Sequence, residues 1–499
     1  MTTLLVPYFL IIPFAAAFVT PIFGKKTKMV GDVLSVVTTF LLAVLSINAV
    51  FSVLGAKAIV YKVGHWMPPA GITMVIDPLS SFLAVTVNVV AFLIAIYSIG
   101  YMEKYTDKWK FSTLFMLMVA GINGVILAGD IFNLYVFMEL SAITAYFLVA
   151  FGTNAEELEA AFKYAVMGCV ASTFILLGIA FLYGHTSTLN MADMSSIITA
   201  NPPSRIIQFV AVLFIMGFGL KAALIPFHAW LPYAHSSAPA PVSAMLSGIM
   251  IKILGIYAMA RIFFNVFGLN SAVASVIIAL AVISMIVGSI LAFGQSDIKR
   301  LFAYSSISQI GYVALGIGIA TPLSIFGALF HLINHSIFKS LLFLNAGAIE
   351  KIAGTRNLNK IRGIILSSPV TGYTSLVGAS SICGIPPLGG FWSKLIIILA
   401  CIQANRPILA LVAVVVSIFT LGYYFKSLTP ALFGQDSGAN KTPIKLPVSM
   451  ILPMVVLAFL AAISALMLLP NMGNIIIKDA AAVLTGGKNY AINVLGALR

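Results

Sequence analysis

Polar positions in this chain come in short clusters separated by apolar runs, and most of those runs are long enough to cross about 30 Å of hydrocarbon. They fall near 4–23, 30–54, 78–101, 111–129, 131–151, 161–183, 206–227, 239–264, 271–294, 301–319, 322–348, 366–402, 408–429 and 447–469. The pattern predicts an all-α polytopic membrane protein with about fourteen transmembrane helices. The first run has no basic leader and is long enough to span, so it reads as a membrane helix and not a cleaved signal. Two runs interrupt themselves. The seventh carries Pro226 five residues after Lys221, and the twelfth, too long for one straight crossing, holds Gly384-Ile385-Pro386-Pro387 at its middle. Proline removes a backbone donor and clashes one turn back, so both are expected to be broken helices. Backbone groups freed at bilayer depth need protein or a wet cavity around them. An ionisable side chain beside such a break therefore marks a candidate site.

Composition agrees: 61% of residues are hydrophobic and 8% charged, against about a quarter charged in an ordinary soluble chain. Cys169, Cys383 and Cys401 stand singly in apolar surroundings, which gives no pattern for a metal cluster or haem. No cofactor, no metal and no redox or hydrolytic chemistry is expected in the chain itself. The net charge of +14 needs no nucleic-acid partner, because basic residues gather on one side of the membrane. Loops after odd-numbered helices hold sixteen lysines and arginines and the other side holds eight, which predicts both termini external. Four of the 28 basic residues remain, and all lie within spans: Lys221, Lys252, Lys339 and Lys394.

A weak internal repeat adds organisation. Gly129-Asp130-Ile131 opens the fifth helix and Ser296-Asp297-Ile298 the tenth, with Ser141 and Ser308 each eleven residues after the aspartate. The two broken helices are likewise five apart. A repeat of five crossings turns its second copy upside down, the arrangement that points to a transport site near the midplane. The expected divisions are 1–110 for the first three helices, 111–264 for the first repeat, 271–432 for the second, and 447–499 for the last helix and a short amphipathic end.

Glu139 sits near the middle of the fifth span, where a lone carboxylate is costly; Lys221 is the expected partner. Such a pair can act as a switch. With the carboxylate close, the ammonium is favoured; with it withdrawn, burial favours release of the proton. A static ion pair is the alternative. His331, His335 and Lys339 are four apart and share a helix face over about 12 Å, suited to a proton relay. Two histidines at this spacing could also ligate a metal, but no third ligand accompanies them. Lys394 follows the second break by about two turns. His228 and His235 flank the first break, either lining an access path or in an interfacial structural role. Glu156, Glu157, Glu159 and Lys163 suit an ordinary helix start, and His65 and Trp66 an external interfacial loop.

The stretches GDIFNLYVFMEL, FGLKAALIPFHAWLPYAHSSAPAPVSAMLSGIMIK, SDIKRLFAYSSISQIGYV and GIPPLGGFWSK resemble the antiporter-like subunits shared by Mrp cation/proton antiporters, membrane-bound hydrogenases and respiratory complex I. The likeness covers nearly the whole chain and is nearest to the D-type subunits of Mrp antiporters and their counterparts in ion-pumping, hydrogenase-type complexes. It implies fourteen helices in two inverted five-helix repeats, and a proton path through Glu139, Lys221, Lys252, His331, His335, Lys339 and Lys394. It also implies a prokaryotic plasma membrane, with other integral membrane subunits as partners and protons, or sodium as well, as cargo. The complex I version carries an acidic residue where this chain has His235-Ser236-Ser237, and a long lateral helix is not expected after the last span. A scaffold protein that has lost transport is the alternative reading, and a stand-alone solute transporter lacks any substrate signal.

Overall fold

Apolar runs become helices because a backbone in hydrocarbon must satisfy its own hydrogen bonds. The computed structural model describes residues 3–25, 27–55, 58–201, 204–434, 445–470 and 472–498. Lys26, Lys57, Lys441 and Arg499, which entered the charge count, lie outside the described residues. Among the described residues, twelve helices are long and apolar enough to cross a membrane. In chain order the elements begin with α1 (Tyr8–Gly24), α2 (Lys28–Ser52), α3 (Pro78–Tyr101), α4 (Lys108–Leu127), α5 (Ile131–Val149) and α6 (Ala155–Thr186). A short α7 (Met191–Ala200) precedes α8 (Arg205–Lys221), α9 (Trp230–Ser237) and α10 (Ala240–Val266). Then come α11 (Ser271–Phe293), α12 (Ile298–Ile319), α13 (Pro322–Ala353), α14 (Pro369–Cys383) and α15 (Gly389–Gln403). The chain closes with α16 (Pro407–Phe433), α17 (Val448–Ile463), α18 (Met472–Thr485) and α19 (Asn489–Leu498).

The difference between fourteen apolar runs and twelve long helices lies at the two proline-bearing stretches. Each divides into two shorter helices, α8 with α9 and α14 with α15, separated by non-helical turns. Outside the spans, an antiparallel hairpin pairs β1 (Ile59–Lys62) with β2 (Thr73–Ile76), and His65 and Trp66 are exposed between its strands. The chain end forms two short helices, α18 and α19, where one was expected. Two residues counted as loop charges are buried. Arg261, inside α10, is 2% exposed, and Lys299, at the start of α12, is also 2% exposed.

The two aspartate motifs are built alike. Asp130 accepts from the backbone of Asn133 at 2.8 Å, and Asp297 from Lys299 and Arg300 at 2.8 and 3.0 Å, so each caps the start of its helix. Each aspartate also bridges, at equal sequence separation, to a downstream asparagine, Asn190 or Asn357.

The core sits around α10 and α13, which are buried for most of their lengths. Close approach there depends on small residues: a Cβ on Gly255 of α10 would stand 2.4 Å from that of Ala222 at the end of α8.

Candidate functional site

Helix α8 ends at Lys221 for local reasons. Ala223 takes a φ of +54°, a left-handed conformation that costs a non-glycine residue about 1–2 kcal/mol, and Pro226 cannot extend the helix. The exposed backbone groups find partners. Trp230 Nε1 donates to the Leu220 carbonyl at 3.1 Å, and the Ile225 amide donates to Ser284 Oγ at 2.9 Å. The Lys221 side chain, 5% exposed, donates to Glu139 Oε1 on α5 at 3.0 Å. The Glu139 side chain is 20% exposed, so the carboxylate is half-buried at the edge of the bundle.

A third group completes this pair. Ser172 on α6 donates to the same Glu139 oxygen and accepts from Lys221 Nζ at 3.1 Å. Nothing in the chain pointed to Ser172, because no charged residue lies near it on its own helix and Glu139 and Lys221 come from two other elements.

Lys252 is fully buried on α10. The helix there widens into π-helical turns at Leu246–Met250 and Lys252–Tyr257. Such turns disrupt the regular hydrogen-bond ladder and are frequent at functional sites. Lys252 Nζ donates back to the carbonyls of Ser247 and Gly248 at 2.6 and 2.5 Å.

His331, His335 and Lys339 lie on α13, all fully buried. The two imidazole centroids are 6.2 Å apart. His331 Nδ1 meets Ser393 Oγ of α15 at 2.9 Å, while among the described residues its Nε2 and both nitrogens of His335 have no hydrogen-bond partner. Lys339 Nζ donates to the Phe302 carbonyl at 2.8 Å, to Ser305 Oγ and to Tyr424 Oη at 3.3 Å. On α15, Lys394 Nζ donates to the Ile382 carbonyl at 2.7 Å. That carbonyl belongs to the last turn of α14, whose orphan groups and dipole both favour a cation. Among the described residues, Lys252, Lys339 and Lys394 have no carboxylate in ion-pair range, unlike Lys221.

His235 is fully buried, and among the described residues both its ring nitrogens have no hydrogen-bond partner; His228 is half-buried. The α9 loop that carries His235 is fastened from outside. Arg356 reaches Glu156, Asp297 and the Ser236 carbonyl, and Lys299 reaches Glu350 and the Ala238 carbonyl, each at 3.2 Å. Glu156 is thus a cross-link between the two halves of the chain as well as a helix-start residue. Among the described residues, no group of three or more His, Cys, Asp or Glu side chains is placed to hold a metal ion.

A bundle of apolar helices around a succession of buried amines defines a membrane protein that handles cations or protons. Residues 128–420 match the family described as NADH:quinone oxidoreductase/Mrp antiporter, TM, and residues 66–112 match the N-terminal region of NADH-ubiquinone oxidoreductase (complex I) chain 5. The chain belongs to this proton-conducting membrane-protein family. It is 37% identical over 414 residues to the N-type subunit of the NADH-quinone oxidoreductase of Desulforudis audaxviator, covering 80% of this chain and 82% of that one. It is 34% identical over 405 residues to the D-type subunit of the Na(+)/H(+) antiporter of Alkalihalophilus pseudofirmus, covering 81% and 82%. Among solved structures, a chain of the Mrp complex from Dietzia sp. DQ12-45-1b superposes with a TM-score of 0.91 at 27% identity, over 99% of this chain and 100% of that one.

Proposed function

We propose that this chain is the proton-translocating, antiporter-like subunit of a multisubunit membrane complex of the Mrp type. Protons reach the Glu139–Lys221 pair, pass Lys252 and the α13 residues, and leave near Lys394. The observation that carries this reading is the contrast among the amines. One is held by a half-buried carboxylate, and the next three are held by carbonyl and hydroxyl dipoles alone. Opening the ion pair changes the field at Lys252, and a desolvated lysine responds to small changes in nearby charge.

On this reading α8 with α9, and α14 with α15, are two discontinuous crossings that bring the total to fourteen. The matched aspartate clips of α5 and α12 support two inverted repeats, 111–264 and 271–432, between flanking segments 1–110 and 447–499. The excess of basic residues in odd-numbered loops supports external termini in a prokaryotic plasma membrane. His235 lines the access path beside α9. Other integral membrane proteins of the same complex are the partners, and sodium is a candidate counter-ion, as the name of the A. pseudofirmus relative suggests.

The test is proton uptake by the purified complex in proteoliposomes. Lys252→Met, close in length and uncharged, should lower uptake about tenfold with the composition of the complex unchanged. Wild-type uptake in that variant would leave the chain a scaffold. Ser172→Ala should lower uptake about threefold, since one charge-assisted bond to Glu139 is lost, and Ser172→Thr should restore it.

A further inference from the structure

Helices α12 and α16 present polar side chains to one another at membrane depth. On α12, Ser305, Gln309 and Tyr312 share a face at helical spacing; on α16, Tyr424, Thr420 and Ser417 do so in the opposite chain direction. They meet as three successive rungs. Ser305 Oγ lies 3.0 Å from Tyr424 Oη, Gln309 Nε2 lies 3.5 Å from Thr420 Oγ1, and Tyr312 Oη lies 2.9 Å from Ser417 Oγ. Lys339 stands at one end, bonded to both members of the first rung. Lys394 stands at the other, its Nζ 5.2 Å from the centre of the Tyr312 ring. The outer rungs are about 10 Å apart along α12 at 1.5 Å per residue.

Among the described residues Gln309 Oε1 has no hydrogen-bond partner, and the hydroxyl of Tyr423, beside the ladder, reaches toward Thr420 and Ser305 without a well-formed bond; both residues are fully buried. Buried polar atoms are nearly always paired with protein or with ordered water, and a site offering several polar partners holds a water readily. The hydroxyls of the ladder can each accept one proton and donate another, and the Gln309 amide, which relays none itself, can orient water in the gap between the outer rungs.

We propose that protons pass between Lys339 and Lys394 along the hydroxyls of this ladder and the water between them, which Gln309 and Tyr423 hold in place. This rests on the reading that the chain conducts protons, and it makes the ladder the route between these two lysines, with His331 and His335 off that step. The Lys339 ammonium gives a proton to a hydroxyl oxygen. That hydroxyl passes its own proton onward, and the neutral Lys394 amine takes one up. Rotation of the hydroxyls resets the row; no other covalent bond changes and no redox partner is required.

The test compares Tyr423→Phe and Thr420→Val with Thr420→Ser in the intact complex, reading proton uptake in proteoliposomes and thermal stability in parallel. Tyr423→Phe should lower uptake at least about tenfold with stability nearly unchanged, because the ring that fills the site is kept and only its hydroxyl is removed. A fall in uptake without a fall in stability is not what a structural role would give. Thr420→Val should behave likewise in uptake, and Thr420→Ser should restore it. Wild-type uptake in both Tyr423→Phe and Thr420→Val, with uptake lost in Glu139→Gln, would overturn the ladder and leave conduction standing. Wild-type uptake in Glu139→Gln as well would overturn the conduction reading, and the ladder with it.

Discussion

Glu139→Gln should leave about a hundredth of the wild-type proton uptake in proteoliposomes, while the complex assembles with its full set of proteins. The amide keeps the shape of the carboxylate and can still accept from Ser172 and Lys221, so packing on α5 changes little. What it loses is charge. Opposite charges about 4 Å apart are worth about 4 kcal/mol at the effective dielectric of a protein edge, and the partial exposure of Glu139 discounts this toward half. About 2.7 kcal/mol corresponds to a hundredfold change. Lys221 then has no counter-charge to pull on it, and the field that drives Lys252 no longer alternates. The distinguishing control is Glu139→Asp, which keeps the charge on a shorter arm and should recover part of the rate. Equal uptake in wild type, Glu139→Asp and Glu139→Gln would mean that the pair is static and that protons do not pass through this chain.

Asp77→Asn should cause the largest loss of stability among single polar substitutions, about 3–5 kcal/mol, seen as a lower melting temperature of the purified complex. Arg261 Nη1 and Nη2 donate to the two Asp77 oxygens at 2.7 and 2.9 Å, with both residues almost wholly buried. Asparagine can still cap α3, where Asp77 accepts from the Ser80 amide at 2.8 Å, so the substitution isolates the cost of leaving Arg261 unpaired. The loosening should spread to the chain end. Arg261 faces Asn265, which holds the Val483 and Gly487 carbonyls, and it lies 5.0 Å from the centre of the Tyr490 ring. Limited proteolysis should therefore cut α18 and α19 first. Asp77→Asn combined with Arg261→Met should regain most of the loss, because replacing a whole buried pair is often close to neutral. A single-variant melting temperature equal to wild type would refute the assignment.

The same pair gives a pH signature. Burial raises the Asp77 carboxyl, but the Arg261 charge and hydrogen bonds outweigh it and hold the group below its usual value of 3.8. A carboxyl depressed on folding stabilises the protein at pH values above its unfolded pKa and loses that contribution as pH falls through the folded one. Wild type and Asp77→Asn should therefore differ fully at neutral pH and converge only well below pH 3.8.

Much of the site could be read from the chain. Lys221, Lys252, Lys339 and Lys394 stood out because a basic residue in an apolar run has no cheap explanation, and Glu139 because a lone carboxylate there needs a partner. The α13 face needed only helical spacing. Arg261 was counted with the external charges although the run 239–264 contains it, because it stands close to the end of that run, where a basic residue can equally face water. Lys299 was misplaced for a related reason: near a helix end, one residue can face either water or a buried carbonyl. The α12–α16 ladder was invisible, since serine, threonine, tyrosine and glutamine are tolerated on any helix.

From the order of residues alone it follows that this is an all-α polytopic membrane protein, and that Pro226, Pro386 and Pro387 and a few ionisable residues stand inside its apolar runs. Those are local matters, decided by the cost of placing charge or unpaired backbone in hydrocarbon. Three-dimensional packing was needed to show that Ser172 joins the Glu139–Lys221 pair, that Arg261 belongs to Asp77, and that α12 and α16 meet in register. A buried polar group must take its partner from whatever element packs beside it, and that neighbour is set by the fold of the whole chain.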